Sequence, residues 1–172
     1  MDIGGSNRRR VNGTPGPRAK ARGASAGSSR KPHLSRNGDG DRFVFTIPSD
    51  YEQGHDVRKQ ILEAAQKRGF QGESFFALNL ALEEALVNAI KHGNRQDPQK
   101  LVRVNAYVSP SRAEVTVEDE GAGFSRKSVP DPTAEENLHR CSGRGILLIE
   151  TYMSEVRWDH GGRRLHMVRE NK

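Results

Sequence analysis

The sequence is poor in the residues that build disulfides, metal clusters and membrane spans. It holds a single cysteine, Cys141, in 172 residues, which excludes an internal disulfide and argues against a structural zinc site. No window approaches the roughly 20 apolar residues of a membrane-spanning helix, and nothing resembles a secretory signal. The composition therefore predicts a soluble, cytoplasmic protein.

Apolar and aromatic residues are also scarce, at 33% and 6%, and residues 1–41 hold no aromatic residue and almost no large apolar one. This segment carries nine Lys or Arg against three Asp or Glu, whereas residues 42–172 carry nineteen of each, so the net charge of +6 lies entirely within it. It also has eight of the 18 glycines. Such a segment cannot bury enough surface to offset its ordering entropy. We predict a disordered basic tail over residues 1–41 and one folded domain over residues 42–172.

Hydrophobic periodicity divides the predicted domain into strands and helices. The predicted order is a strand, two helices, a β-hairpin, a third helix and a second pair of strands. Ser49 and Glu52 have the spacing of a capping box for the first helix, and Gly93 is a plausible C-cap for the second. This order predicts an α+β fold, a two-layer α/β sandwich whose mixed β-sheet carries the helices on one face.

The second predicted helix carries polar residues at helical spacing. Glu84, Asn88 and His92 are four residues apart and therefore share one face, with Lys91 beside them. Asparagine is a poor helix former, so its position in mid-helix calls for a reason. Taken alone, the stripe is equally typical of the solvated face of an amphipathic helix.

The second strand of the predicted hairpin ends on a carboxylate. Alternate residues of 113–117 are apolar and share the buried face, and Asp119 follows with the same parity. A carboxylate aimed into an apolar layer needs a partner, and Gly121 and Gly123 allow backbone or ligand to approach it. An aspartate that simply opens a turn is the alternative interpretation.

A second glycine pair, Gly143 and Gly145, precedes the third predicted helix. Free amide groups and the helix dipole at such a start suit an anion such as phosphate. By itself the pair is a weak signal, and neither the dinucleotide fingerprint nor a P-loop occurs in the sequence.

The three features in this order resemble the GHKL ATPases over about residues 42–169, since they are similar to that superfamily's N box and two glycine boxes. The resemblance implies a Bergerat-type ATP-binding fold that uses ATP and Mg²⁺. By the same resemblance Asn88 coordinates Mg²⁺ and Asp119 accepts a hydrogen bond from the adenine amino group. The glycines that would hinge a lid over the phosphates are Gly121, Gly123, Gly143 and Gly145. Arg144, between the last two, is a candidate for contact with the phosphates.

A glutamate four residues before the asparagine resembles the anti-sigma-factor serine kinases. That resemblance implies that Glu84 is the catalytic base and that the substrate is a Ser or Thr of an anti-anti-sigma (antagonist) protein. It also implies binding to a sigma factor, partner switching and a homodimer. Glu83 lies about 100° round the helix and cannot share the geometry of Glu84. Arg163 and Arg164 stand where many superfamily members carry a Gly-Thr pair, which leaves the second adenine contact open.

Two other classes of function remain open from the sequence. A nucleotide-gated module could sequester a partner without phosphorylating it, and only Glu84 argues for chemistry. The basic tail suits nucleic acid, but residues 42–172 are charge-balanced and show no aromatic stacking platform, so nucleic-acid binding is disfavoured.

Overall fold

The computed structural model describes residues 35–37, 40–124 and 144–172 of the chain. These residues form an antiparallel sheet with helices packed against it. The elements in chain order are β1 (Ser35–Asn37), β2 (Gly40–Pro48), α1 (Tyr51–Lys67), α2 (Gly72–Val87), a π-helical segment (Asn88–Gly93), β3 (Leu101–Val108), β4 (Arg112–Asp119), α3 (Arg144–Tyr152), β5 (Glu155–Asp159) and β6 (Arg164–Glu170). Within these residues, no helix is both long and apolar enough to span a membrane.

The strand order of the described sheet is β1-β2-β3-β4-β6-β5, and every neighbouring pair is antiparallel. The predicted α+β class is confirmed, but the expectation of a mixed sheet is wrong. Strands β4 and β5 do run in the same direction, yet β6 lies between them and pairs antiparallel with both. Strands that run in the same direction are therefore never neighbours in the described sheet.

One face of the sheet carries the helices, as predicted. Along β2 and β3, buried residues alternate with exposed ones, which is the pattern of a sheet that is covered on one side only. Helix α2 packs against α1, α3 and β6. Its residues Ala77, Leu78, Ala81 and Leu82 are fully buried. Side chains on this helix are therefore held in place from several directions.

The first helix begins one residue later than its predicted capping box. The side chain of Asp50 accepts a hydrogen bond from the Gln53 amide at 2.9 Å and is the N-cap of α1. Ser49 instead donates its hydroxyl to the Lys100 carbonyl at 3.0 Å. The capping role predicted for Ser49 is therefore wrong, because a contact with the chain entering β3 engages its hydroxyl.

Strand β1 lies before the predicted start of the folded domain at residue 42. It pairs antiparallel with the beginning of β2, and Ser35 stands opposite Arg42. Asp41 is bound by Arg68 after the end of α1 through two hydrogen bonds, from Nε at 3.0 Å and from Nη2 at 3.2 Å. Residues 1–34 lie outside the described residues, so the tail and the domain boundary stay predictions.

Candidate functional site

A cavity of about 600 Å³ lies between α2 with its π-helical extension, the end of β4, the start of β6 and the start of α3. Its walls bring together most of the residues singled out from the sequence. Those that line it are Glu84, Asn88, Asp119, Gly123, Arg144 and Gly145. Gly121 is not among the lining residues, and Gly143 lies outside the described part of the chain.

The π-helical segment forms the floor of the cavity beyond Asn88. The Asn94 amide donates to the carbonyl of Ala89, five residues back, at 2.8 Å, which is the π-helical spacing. The segment adds Lys91, His92 and Gly93 to the cavity wall. A short π-helix inside a longer helix is frequent at functional sites. The sequence predicted a continuous helix here, because nothing in the local residue pattern marks the change in hydrogen-bond spacing.

Glu84 projects from α2 into the cavity and is partly buried. Burial raises the pKa of its carboxyl above the ordinary 4.5, and the nearby charge of Glu83 raises it further. Glu83 itself is exposed and pairs with Arg58 on α1, away from this cavity. The structure thus separates the two glutamates as the helical spacing predicted.

Asn88 follows Glu84 one helical turn later and lines the same cavity. Its Nδ2 atom is buried and has no hydrogen-bond partner among the described residues. A buried amide nitrogen without a partner is costly, so the described contacts of Asn88 do not explain its position.

Asp119 ends β4 with its carboxylate at the cavity wall. Burial is the largest influence on this carboxyl and raises its pKa above the ordinary 3.8, although a hydrogen bond from the Gly121 amide acts in the opposite direction. That amide donates to Oδ1 at 2.8 Å. The Asp119 amide donates to the Arg163 carbonyl at 3.0 Å. The carboxylate is therefore held in place and keeps acceptor capacity for a ligand.

The glycines near the cavity permit close approaches that a side chain would block. A Cβ on Gly121 would overlap the carbonyl oxygen of Gly93, and one on Gly145 would overlap the carboxylate of Glu84. Gly123 has a φ of +75° and lies against Gly161 of the turn before β6. The described glycines of both glycine pairs thus shape the site through contacts with protein atoms.

An aromatic pair at the same cavity was not predicted from the sequence. Phe124 and Trp158 line the cavity in an edge-to-face arrangement, with their ring centroids 5.0 Å apart. They lie in separate chain segments, and only the pairing of β5 with β6 brings Trp158 beside Leu165 at this wall. Together with Val117 they make one side of the cavity apolar.

Asn94 is a second residue that the sequence did not reveal. It is fully buried, and its Nδ2 donates to the Ser49 hydroxyl at 2.8 Å and to the Leu101 carbonyl at 3.0 Å. Its Oδ1 accepts from the Glu120 amide at 2.8 Å. Asn94 therefore joins the start of α1, the start of β3 and the backbone next to Asp119. The only local signal is an asparagine directly after the glycine that ends a helix.

The side chains of Arg163 and Arg164 lie in different surroundings. Arg163 lines the cavity, while its Nε donates to the His160 carbonyl at 3.1 Å. Arg164 binds the carboxylate of Glu118 with Nη2 at 2.8 Å, which holds the pKa of that carboxyl below its usual value. Of these two arginines, only Arg163 is therefore available to a ligand in the cavity.

Residues 47–169 match the model of the family described as histidine kinase-like ATPase domain. The chain is 31% identical over 123 residues to the Serine-protein kinase RsbW of Bacillus licheniformis, covering 68% of this chain and 77% of that protein. It is 29% identical over 129 residues to the Bacillus subtilis protein of the same name, covering 71% of this chain and 81% of that one.

A solved structure of the RsbU and RsbW domains of a Mycobacterium tuberculosis protein is similar in fold. Its TM-score is 0.51 at 18% sequence identity, and the similarity covers 76% of this chain and 31% of that chain. At this identity the likeness bears on the fold alone.

Proposed function

Since this chain belongs to the family of histidine kinase-like ATPase domains, we propose that it is an anti-sigma-factor kinase that transfers the γ-phosphate of ATP to a protein. The observation that carries the proposal is that Glu84 and Asp119 line one cavity from different elements. Asp119 lies against Gly93, which is nine residues beyond Glu84 along the helix. That separation is on the order of 10 Å, which is enough for a nucleobase at one end and the terminal phosphate at the other.

The end of the cavity at Asp119 suits adenine. The carboxylate is an acceptor for the exocyclic amino group, and a charged acceptor makes a stronger hydrogen bond than a neutral one. The apolar wall of Val117, Phe124 and Trp158 offers contact to the faces and edges of a base. Arg163 also lines the cavity, and its carbonyl accepts from the Asp119 amide at 3.0 Å.

The end at Asn88 suits the phosphates and the metal that accompanies them. Arg144 and Lys91 supply positive charge there. Asn88 lines this end with a side-chain amide whose carbonyl oxygen is a ligand of the kind that Mg²⁺ takes, and the described residues contain no cluster of three acidic, His or Cys ligands. Such a site fits Mg²⁺, which takes few protein ligands and is held largely by phosphate oxygens and water. Asn88 would hold the metal at this end, and the bound Mg²⁺ would supply positive charge against the negative charge that develops on the phosphates during transfer.

Glu84 is the residue proposed to accept the proton of the substrate hydroxyl. A base works best when its pKa lies near the working pH, and burial raises the pKa of this carboxyl in that direction. The hydroxyl oxygen attacks the γ-phosphorus, the bond to the bridging oxygen of ADP breaks, and the proton passes to Glu84. Asn88 lies one helical turn from Glu84, so a metal held by Asn88 would lie on the same helical face as the base.

The partners follow from the similarity to curated serine-protein kinases. We propose that the substrate is a Ser or Thr of an anti-anti-sigma antagonist, and that the chain also binds a sigma factor and so regulates transcription by partner switching. A homodimer in the cytoplasm is the state in which we expect it to act.

Single-turnover transfer tests the proposal directly. The protein is incubated with γ-labelled ATP and the antagonist that co-purifies with it, and the label is followed by mass spectrometry. We expect a phosphorylated Ser or Thr on the antagonist and, in parallel, ATP binding that depends on Asp119. ATP binding without transfer to any partner would contradict the kinase and favour a nucleotide-gated module that sequesters its partner.

A further inference from the structure

Gly93 ends the π-helical segment, yet its backbone does not require a glycine. Its φ lies outside the left-handed region that favours this residue. The C-cap of the segment is Asn94, in a right-handed conformation, so the capping role predicted for Gly93 is wrong. In a helical conformation alanine is preferred to glycine. The glycine must therefore be explained by what surrounds it.

The space beside Gly93 is filled by the carboxylate of Asp119. A Cβ on Gly93 would stand 2.5 Å from each of the two carboxylate oxygens. Carbon atoms do not approach oxygen so closely without a bond, because van der Waals contact begins well beyond that distance. The Asp119 carboxylate therefore occupies the space that a side chain on Gly93 would fill, and we call this space the carboxylate seat.

The backbone at Asp119 is held in place by hydrogen bonds. Its own amide is tied to the Arg163 carbonyl at 3.0 Å, and the following amide, of Glu120, is tied to Asn94 at 2.8 Å. Gly121, which also lies against Gly93, donates its amide to Oδ1 of Asp119 at 2.8 Å. A side chain on Gly93 must therefore displace the carboxylate itself.

We propose that Gly93 is a positioning residue that aims the Asp119 carboxylate at the nucleobase and so sets the preference for adenine over guanine. The inference rests on the proposed function, because it assigns Asp119 to the base. Adenine presents an amino donor where guanine presents a carbonyl acceptor. A well-placed Asp119 carboxylate attracts the amino group of adenine and repels the carbonyl oxygen of guanine. A displaced carboxylate does neither.

The test is a double-mutant cycle on ATP and GTP affinity with Gly93→Ala, Asp119→Ala and both together. By calorimetry, Gly93→Ala should weaken ATP binding by about tenfold or more, the loss expected when a charge-assisted hydrogen bond is misplaced. GTP affinity should rise or stay level, because the displaced carboxylate no longer repels the guanine carbonyl, so the ratio of ATP affinity to GTP affinity falls. On the Asp119→Ala background, Gly93→Ala should cost no further ATP affinity.

Gly54→Ala is the matched control, since this helical glycine of α1 lies outside the cavity. Among the described residues outside its own helix, the only atom near its would-be Cβ is Cδ1 at the end of the Ile90 side chain, at 3.0 Å. ATP affinity should stay at the wild-type value. Wild-type ATP affinity in Gly93→Ala, or an equal loss with and without Asp119, would overturn the inference.

Thermal unfolding without nucleotide tests the contact between Gly93 and the Asp119 carboxylate independently of the proposed function. Gly93→Ala should lower the melting temperature despite its better helix propensity, and Gly93→Ala/Asp119→Ala should recover it. We expect these melting temperatures even if the wild-type protein binds no ATP. In that case the proposed function would fail, but the contact between Gly93 and the Asp119 carboxylate would still be supported. A melting temperature of Gly93→Ala at or above that of the wild type would contradict this contact.

Discussion

Gly145 lies directly against Glu84, since a Cβ on the glycine would overlap Oε2 of the carboxylate. The start of α3 thus rests on the proposed base. We predict that Gly145→Ala displaces the carboxylate and slows phosphoryl transfer by about 10- to 100-fold, because a misplacement of about 1 Å has such an effect. Rates are measured in a single turnover.

A shorter carboxylate provides the control for this contact. Glu84→Asp slows transfer by itself, but it draws the carboxylate back from Gly145. Adding Gly145→Ala to Glu84→Asp should therefore cost much less than adding it to the wild type. Equal losses in both backgrounds would show that Gly145 acts in some other way.

Glu84→Gln keeps the shape of the side chain and removes the base. Transfer should fall by about 10² to 10⁴, and the lower end is expected because phosphoryl transfer depends more on positioning and charge than on proton removal. Mg-ATP affinity, measured by calorimetry, should change little. Asn88→Ala should instead weaken Mg-dependent ATP binding. Transfer by Glu84→Gln within about twofold of the wild type would remove Glu84 from the role of base.

Glu83→Gln is the matched control for this change. Glu83 pairs with Arg58 outside the cavity, so its loss should leave transfer near the wild-type rate. Its charge does help to raise the pKa of Glu84. The acid side of the rate profile should therefore move to lower pH in Glu83→Gln.

The raised pKa of Glu84 also makes a prediction about stability. Because burial disfavours the ionised carboxylate, that form costs the folded state free energy at pH values above the folded pKa. The cost declines as the pH falls through the folded pKa and is absent below the unfolded value of about 4.5. Glu84→Gln should therefore melt higher than the wild type near neutral pH, with the difference shrinking on acidification. An unchanged difference across that range would contradict the assignment of burial as the cause.

Asp119→Asn should weaken ATP binding by about ten- to a hundredfold, the value of a charge-assisted hydrogen bond. Since burial raises the pKa of Asp119, wild-type affinity should begin to fall on acidification at a higher pH than an ordinary aspartate would give. The variant should lack that acid limb. Calorimetry across pH measures both effects, and wild-type affinity in Asp119→Asn would exclude this carboxylate from the site.

Deletion of residues 1–34 should leave the melting temperature and ATP affinity nearly unchanged, because a basic, Gly-rich segment with almost no large apolar side chains adds no core. Deletion through Asp41 should lower the melting temperature by several degrees. It removes β1, the start of β2 and the partner of Arg68. Equal melting temperatures for the two deletions would show that the Asp41–Arg68 pair contributes nothing.

The sequence predicted those parts of the site that depend on local periodicity. Glu84 and Asn88 share a face because helical spacing puts them there, and Asp119 faces the cavity because strand parity does. The carboxylate seat at Gly93, the role of Asn94 and the place of Trp158 depend on contacts between distant segments. The same holds for Ser49, whose partner Lys100 is 51 residues away. No local pattern encodes such contacts.

The position of β6 in the sheet has a consequence for folding during synthesis. It is the last strand in chain order, yet it is paired on both sides, with β4 and with β5. Until it leaves the ribosome, β4 has no neighbour on that side and the Asp119 amide has no Arg163 carbonyl to bind. Since chains begin to fold from their first residues onward, the cavity can close only after residues 164–170 have emerged. A nascent chain stalled before that point exposes the free edge of β4, where a chaperone or another nascent chain could pair with it.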